Sequence, residues 1–209
     1  MLDMWTNWEI APVPIAAAAM DLARSTETEP IFNHSVRSYW WAVLLAEHEN
    51  VTSDADFDPS LLFAATVLHD LGTGDRAEGR QRFEVEGADL AAELLTALGV
   101  PGRDVDRVWE AIALHTSAGI AERRGLLCYL TREGIGIDFG RRAELVREHQ
   151  EGIHARWPRL EMVRSLVDAI VDHAARSEAA APPYSTPGEL LRERRQYGVT
   201  RMERAVGRD

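Results

Sequence analysis

A single cysteine, Cys128, occurs in the chain, which excludes an intramolecular disulfide and any multi-thiolate zinc centre. The fold must then rest on its core and on whatever non-thiolate ion it holds, and a reducing cytoplasm is the expected compartment. No run approaches the roughly twenty apolar residues needed to span a bilayer, and Ile15–Met20 lacks the basic leader of a signal peptide. Positive charge is also short: 23 Lys and Arg against 34 Asp and Glu leave a net charge of −11, which opposes attraction to nucleic-acid phosphates or anionic lipid. A small-molecule substrate is the better expectation, with neither nucleic acid nor membrane as partner. Strand signals are few, and no internal repeat is evident.

What the sequence does contain is helical periodicity, in a chain of 209 residues that suffices for one substantial core. Pro14–Arg24 and the segment after Pro30 read as helices. The second carries Val36, Tyr39, Trp40, Val43 and Leu44 on one stripe, with Trp41 and Leu45 on another face. Asp58-Pro59 opens a helix that is apolar on nearly all sides from Leu61 to Leu68 and runs through His69-Asp70 to Gly72. Beyond a loop rich in glycine and arginine, Ala91, Leu94, Leu95 and Leu98 mark a fourth helix closed by Gly99. Asp104 caps a fifth, whose stripe of Val105, Val108, Trp109 and Ile112 continues to His115. Leu126–Leu130 suggests a short helix before a glycine-rich segment in which Gly134 and Gly136 bracket Ile135 ahead of Asp138. Leu160 to Ala174 is a long amphipathic helix, and residues 177–187 form a connector rich in alanine and proline. Thr186-Pro187 with Glu189 then starts a terminal helix bearing arginines. The expected fold is an all-α bundle of about seven to nine helices, with its core in 1–176 and a connector and tail in 177–209.

Of seven histidines, His48, His149 and His154 sit in polar surroundings and His173 lies near the end of an amphipathic helix, where solvated or capping roles are expected. His34, His69 and His115 lie on or at the ends of apolar helices, where each imidazole needs partners. Taken singly, each reads as a core histidine bonded to a carbonyl or carboxylate. Asp70 beside His69 changes the balance, because an ionised carboxylate at the end of an apolar helix is costly unless a cation or metal pairs with it. Imidazole nitrogen with carboxylate oxygen suits zinc, iron or manganese in a site with open positions.

Five segments in order, Phe32-Asn33-His34-Ser35-x-Arg37-x-Tyr39, Leu68-His69-Asp70-Leu71-Gly72, Arg82-Phe83-Glu84-Val85-Glu86-Gly87, Ala111-Ile112-Ala113-Leu114-His115-Thr116 and Gly134-Ile135-Gly136-Ile137-Asp138, resemble the HD-domain metal-dependent hydrolases. Together they resemble the cyanamide hydratase-like branch, over about residues 14–175. The resemblance implies an HD-domain bundle with His34, His69, Asp70 and Asp138 as metal ligands and His115 facing the pocket. Asp168 and Asp172 compete with Asp138, but they sit in a regular amphipathic helix where exposure is ordinary. Relatives with two metals use further histidines after the His-Asp pair, and none occurs from Gly72 to Leu114. One divalent ion is therefore expected, zinc first, with iron or manganese next. His115 as an extra ligand is the route to an iron-dependent oxygenase.

The implied activity is addition of water to a small nitrile-like substrate such as cyanamide, giving a urea or amide, with His115 and Asp70 as the catalytic proton-handling groups. Asn33, Arg37, Trp41, Phe83, Glu84 and Thr116 flank the ligand motifs and are candidate substrate contacts, each with a structural role as the alternative. Glu84 orients a ligand histidine or caps a helix, and Arg37 binds an anion or pairs with a carboxylate. The competing activity is phosphoester hydrolysis on a nucleotide or small phosphoester, with Arg76, Arg80 and Arg82 as phosphate contacts. A non-catalytic metal-binding protein is a third reading. Trp5, Trp8 and the terminal arginine-bearing helix are compatible with a homo-oligomer, and equally with ends that fold back on their own core.

Overall fold

The computed structural model describes residues 14–206; Trp5 and Trp8 lie outside the described residues. Among the described residues ten α-helices follow one another: α1 (Pro14–Thr26), α2 (Glu29–His48), α3 (Pro59–Val67), α4 (Phe83–Ala97), α5 (Gly102–Leu114), α6 (Leu126–Asp138), α7 (Arg147–Arg156), α8 (Met162–Ala174), α9 (Thr186–Tyr197) and α10 (Arg201–Val206). Among the described residues there is no strand, as expected. The count exceeds seven to nine because α7 buries only Ile153 and so shows no stripe, and because α10 is under two turns long. No helix of the described residues is long and apolar enough to cross a membrane.

α2 runs through the centre, buried on nearly every side from Ile31 to Ala46, and α6, α3 and α8 pack around it. α6 corrects the sequence reading. The glycine-rich stretch before Asp138 is the second half of one continuous helix. A Cβ at Gly134 would lie 2.5 Å from the Ser38 carbonyl oxygen and 2.7 Å from the Ala42 Cβ, so glycine is what lets the two helix backbones touch. Its propensity cost of about 1 kcal/mol accompanies an approach that no larger residue permits. Asp138, the last residue of α6, is thereby set against His34 and Arg37.

The His-Asp pair shows a second departure. α3 stops at Val67 instead of running to Gly72, and Leu68 (φ −103°, ψ 3°) and Asp70 (φ −101°, ψ 7°) leave helical geometry. Consecutive residues of a regular helix point about 100° apart. The broken turn instead brings His69 and Asp70 together, Nε2 to Oδ2 at 3.1 Å. The turn is clamped on α4, since a Cβ at Gly72 would lie 1.8 Å from the Phe83 carbonyl oxygen and one at Gly87 would lie 2.9 Å from the Gly72 nitrogen.

The connector does not end the core. Ala180 is fully buried, and Leu190 and Leu191 of α9 share a cluster with Ile31, Phe83, Leu166 and Ile170. The terminal helix thus packs on its own chain.

Candidate metal centre and its cavity

His34 comes from α2, His69 and Asp70 from the broken turn after α3, and His115 from the residue that caps α5. Their tautomers follow from their Nδ1 partners. His69 and His115 reach the carbonyls of Thr66 and Ile112, each three residues earlier, at 2.8 and 2.7 Å. His34 reaches Asp138 Oδ2 at 2.6 Å. A carbonyl or carboxylate oxygen accepts only, so each Nδ1 carries the proton and each Nε2 presents a lone pair. The rings converge, with centroids 5.2 Å apart for His34 and His69 and 4.9 Å for His69 and His115.

His34 Nε2 and Asp70 Oδ2 are buried without a hydrogen-bond partner and lie 3.9 Å apart. Buried polar atoms left unpaired are costly. Here the unpaired atoms are acceptors, and a cation is the group that satisfies several acceptors at once. Ligand atoms of His34, His69 and Asp70 lie within 4.8 Å of one another, and two imidazoles with one carboxylate fit a divalent ion that keeps open positions. Burial by itself raises the Asp70 pKa, but His69, His34 and His115 outweigh it and hold the carboxyl at about 2. Burial, and after it His69, push His115 down to about 4. Burial also lowers His34. On His69 burial is outweighed by Asp70 and the Thr66 carbonyl, so its pKa is raised.

The expectation of Asp138 as fourth ligand does not match its placement. Oδ2 accepts from His34 Nδ1 at 2.6 Å and Arg37 Nη2 at 2.7 Å, and Oδ1 accepts from Arg37 Nε and Trp41 Nε1 at 2.8 Å each. Burial works against this charge, yet Arg37 and His34 hold its carboxyl well below the usual carboxylate range. Asp138 thus stands behind His34 and fixes that ring's tautomer and plane, as carboxylates do behind metal-binding imidazoles. Of its two expected roles Arg37 takes the pairing with a carboxylate, and Trp41, bound to the same carboxylate, is corrected as a substrate contact. Arg37 Nη1 also donates to the Trp157 and Pro158 carbonyls at 3.1 Å each, and Asn33 Nδ2 donates to Pro158 at 3.1 Å. None of these three lines the cavity of about 220 Å³ above the histidines.

A family model described as HD domain matches residues 31–180. The chain belongs to the HD-domain family. Metal-dependent hydrolysis is the typical activity of that family. No curated protein matches the chain closely enough to count as a relative.

In this HD domain Phe83 and Thr116 line the cavity beside His115, with the Phe83 ring 5.6 Å from the imidazole. Glu84 does not line it. Its carboxylate accepts from Thr116 Oγ1 at 2.5 Å and Arg82 Nη2 at 2.7 Å, so it positions the threonine. Of the loop arginines, Arg80 pairs with Glu78 and Arg76 is exposed, while Arg82 pairs with Glu84 and also donates to Thr116 Oγ1 at 3.3 Å. Glu86 fastens this loop by accepting from the backbone N–H groups of Gly79, Arg80 and Gln81 at 2.9, 2.5 and 2.9 Å. His173 packs fully buried against it, with Nε2 3.2 Å from Oε2, which replaces the solvated or capping role expected for that residue. Asp168 is bound to Arg194 and Asp172 is exposed.

Sequence reasoning missed Arg132, Arg141, Ile135 and Phe139 near the histidines, and Thr186 and Met202 from the C-terminal helices. The apolar stripe of the helix that ends at Ala174 signalled that Ile170 is buried, but not that it walls this cavity together with Leu166.

Proposed function

We propose that this HD domain holds one divalent ion, zinc ahead of iron or manganese, and adds water to a compact nitrile-like substrate, as in the conversion of cyanamide to urea. The observation that carries the reading is the convergence of three Nε2 lone pairs and Asp70 on the floor of a cavity of about 220 Å³ with mainly apolar walls. That volume falls below the roughly 300–1,000 Å³ of pockets for drug-sized ligands, which favours a substrate of few atoms over a nucleotide. When bound, the ion lowers the pKa of a coordinated water toward about 7 and polarises an adjoining electrophile.

The chain's residues supply the rest. His34, His69 and Asp70 hold the ion. His115, with Nδ1 tied to Ile112, turns its Nε2 lone pair to the same cavity and takes one proton from the attacking water. The water oxygen bonds to the nitrile carbon, one carbon–nitrogen π bond opens, and His115 returns the proton to nitrogen. Tautomerisation of the adduct then yields the urea or amide. Asp70 is the second proton acceptor, a weaker base while it serves as ligand. Phe83, Ile135 and Phe139 exclude bulk water from the reacting atoms.

One observation favours hydrolysis of a small phosphoester as the second reading, namely that Arg132 and Arg141 line the cavity. Arg132 spends Nε and Nη1 on Glu122 and the His115 carbonyl, and Arg141 spends Nη2 on Glu133, which leaves guanidinium edges for an anion. Elemental analysis of the purified protein, followed by assays of urea from cyanamide and phosphate from p-nitrophenyl phosphate on one sample, separates the readings. About one zinc per chain with urea formed is the expected result. Phosphate without urea transfers the assignment to a phosphohydrolase, about two irons transfer it to an oxygenase, and metal with neither product leaves a metal-binding protein.

A further inference from the structure

The family match ends at residue 180, yet Thr186 of α9 and Met202 of α10 line the cavity above the histidines. Resting on the reading of that cavity as the substrate site, we propose that α9 and α10 form a roof that sets substrate size, with Met202 as its specificity-determining residue and Arg194 as its latch.

The roof is built by definite local devices. A Cβ at Gly188 would lie 2.3 Å from the Pro182 carbonyl oxygen, so the connector folds tightly onto the start of α9, where Ser185 accepts from the Gly188 N–H at 3.2 Å. α9 ends at Gly198 in the left-handed region, φ 73°, which reverses the chain. Thr200, fully buried, then makes a reciprocal cap with Glu203. Its backbone N–H donates to Glu203 Oε2 at 2.8 Å, and its Oγ1 accepts from the Glu203 N–H at 3.3 Å. Two neighbours of Met202 are therefore pinned. Arg201 donates its backbone N–H to Glu193 at 2.9 Å, and Glu203 accepts from Arg194 Nη2 at 2.9 Å while Arg194 Nη1 reaches Asp168 at 2.7 Å. One guanidinium thus staples α8, α9 and α10.

Held this way, Met202 packs with Phe139 against the cluster of Leu166 and Ile170, all four on the cavity. These four side chains give the roof an apolar contact surface on the cavity. The substrate class that fits has its polar, reacting end toward His115 and Asp70 and a short neutral hydrocarbon substituent toward α8 and α10. An unbranched thioether side chain adapts to such a group without a polar demand of its own.

The test is calorimetric binding of linear aliphatic amides, acetamide through octanamide, to the zinc-loaded full chain, with hydration of the matching nitriles followed in parallel. Wild type is expected to bind more tightly with each added carbon up to a cut-off and then to fail. Met202→Ala moves the cut-off to longer amides and strengthens binding of the first excluded member by about tenfold, the scale of one methylene in an apolar pocket. Met202→Trp moves it to shorter ones. Arg194→Met, which loosens the roof without touching the cavity, weakens all lengths and blurs the cut-off, and a wild-type series in that variant removes Arg194 as the latch. An unchanged cut-off in both Met202 variants overturns the proposal, and so does the absence of binding by any amide. A shifted cut-off without nitrile hydration keeps the roof and removes the proposed reaction. Hydration with an unmoved cut-off does the reverse.

Discussion

Beneath the cavity, His34, His69, His115 and Asp138 are each held by buried partners at 2.6–2.8 Å. Above it, Met202 is kept in place by a latch that is only half-buried, with the Arg194 side chain 25% exposed, Glu203 18% and Asp168, on its outer arm, 46%. The energetic rules differ accordingly. Removing one partner of a buried ion pair costs about 3–5 kcal/mol because the other charge is stranded, whereas a solvent-facing pair contributes about 0–1 kcal/mol and weakens with salt. The floor therefore tolerates little change and carries the chemistry. The roof tolerates change and carries selectivity, so the two are separable by mutation.

The largest effect is expected at the centre of the floor. His69→Ala and Asp70→Ala should each lose bound metal and activity together, read by elemental analysis and turnover. His115→Ala should keep the metal and lose about 10²–10⁴-fold in rate, the range for a positioned acid–base group. Metal retained in both of the first variants would refute the site. Metal lost from His115→Ala would make that residue a ligand and favour the oxygenase branch.

One step outward, Arg37→Met is expected to lower stability by about 3–5 kcal/mol in urea unfolding, since it leaves the Asp138 carboxylate buried without its main partner. Asp138→Asn should weaken metal affinity by about 10–100-fold, the usual cost of disturbing a group that orients a ligand. If Asp138 binds the ion directly, that variant will instead lose metal as completely as Asp70→Ala does. A smaller cost, about 1–3 kcal/mol, is expected for Gly134→Ala, whose new methyl meets the α2 backbone. A neutral result there would show that α2 and α6 can separate without disturbing His34.

These contrasts also explain how much could be read from the chain alone. Fold class and the inward histidines were legible because apolar periodicity and a carboxylate beside His69 are local signals. The role of Asp138 was not, because it depends on where the end of α6 falls against α2, and Gly134 carries opposite meanings in isolation and in contact. As a lone residue it argues against helix; against Ser38 and Ala42 it is what permits the helix pair. Arg37 carried part of the answer, for an arginine within an apolar helix needs a buried carboxylate, but nothing local says that the carboxylate is Asp138. The roof was illegible for another reason. Its latch joins residues of three helices, and Met202 sits in a six-residue helix too short to show a pattern.

Glu86 lies between floor and roof, binding the loop after the His-Asp turn on one side and His173 of α8 on the other. Burial raises its pKa, but the N–H groups of Gly79 and Gln81, His173 and the Arg80 N–H outweigh that and hold the carboxyl at about 2. An unfolded glutamate titrates near 4.3. Because the folded value is the lower one, the carboxylate's contribution is complete above roughly pH 5 and is lost as pH falls toward about 2. Glu86→Gln keeps one acceptor oxygen but no charge, so its deficit should be about 1–2 kcal/mol at neutral pH and shrink steadily below pH 5. Urea unfolding of both proteins between pH 7 and pH 3 measures this. A deficit that stays constant over the range would mean that the shape of the side chain, and not its charge, joins the loop to α8.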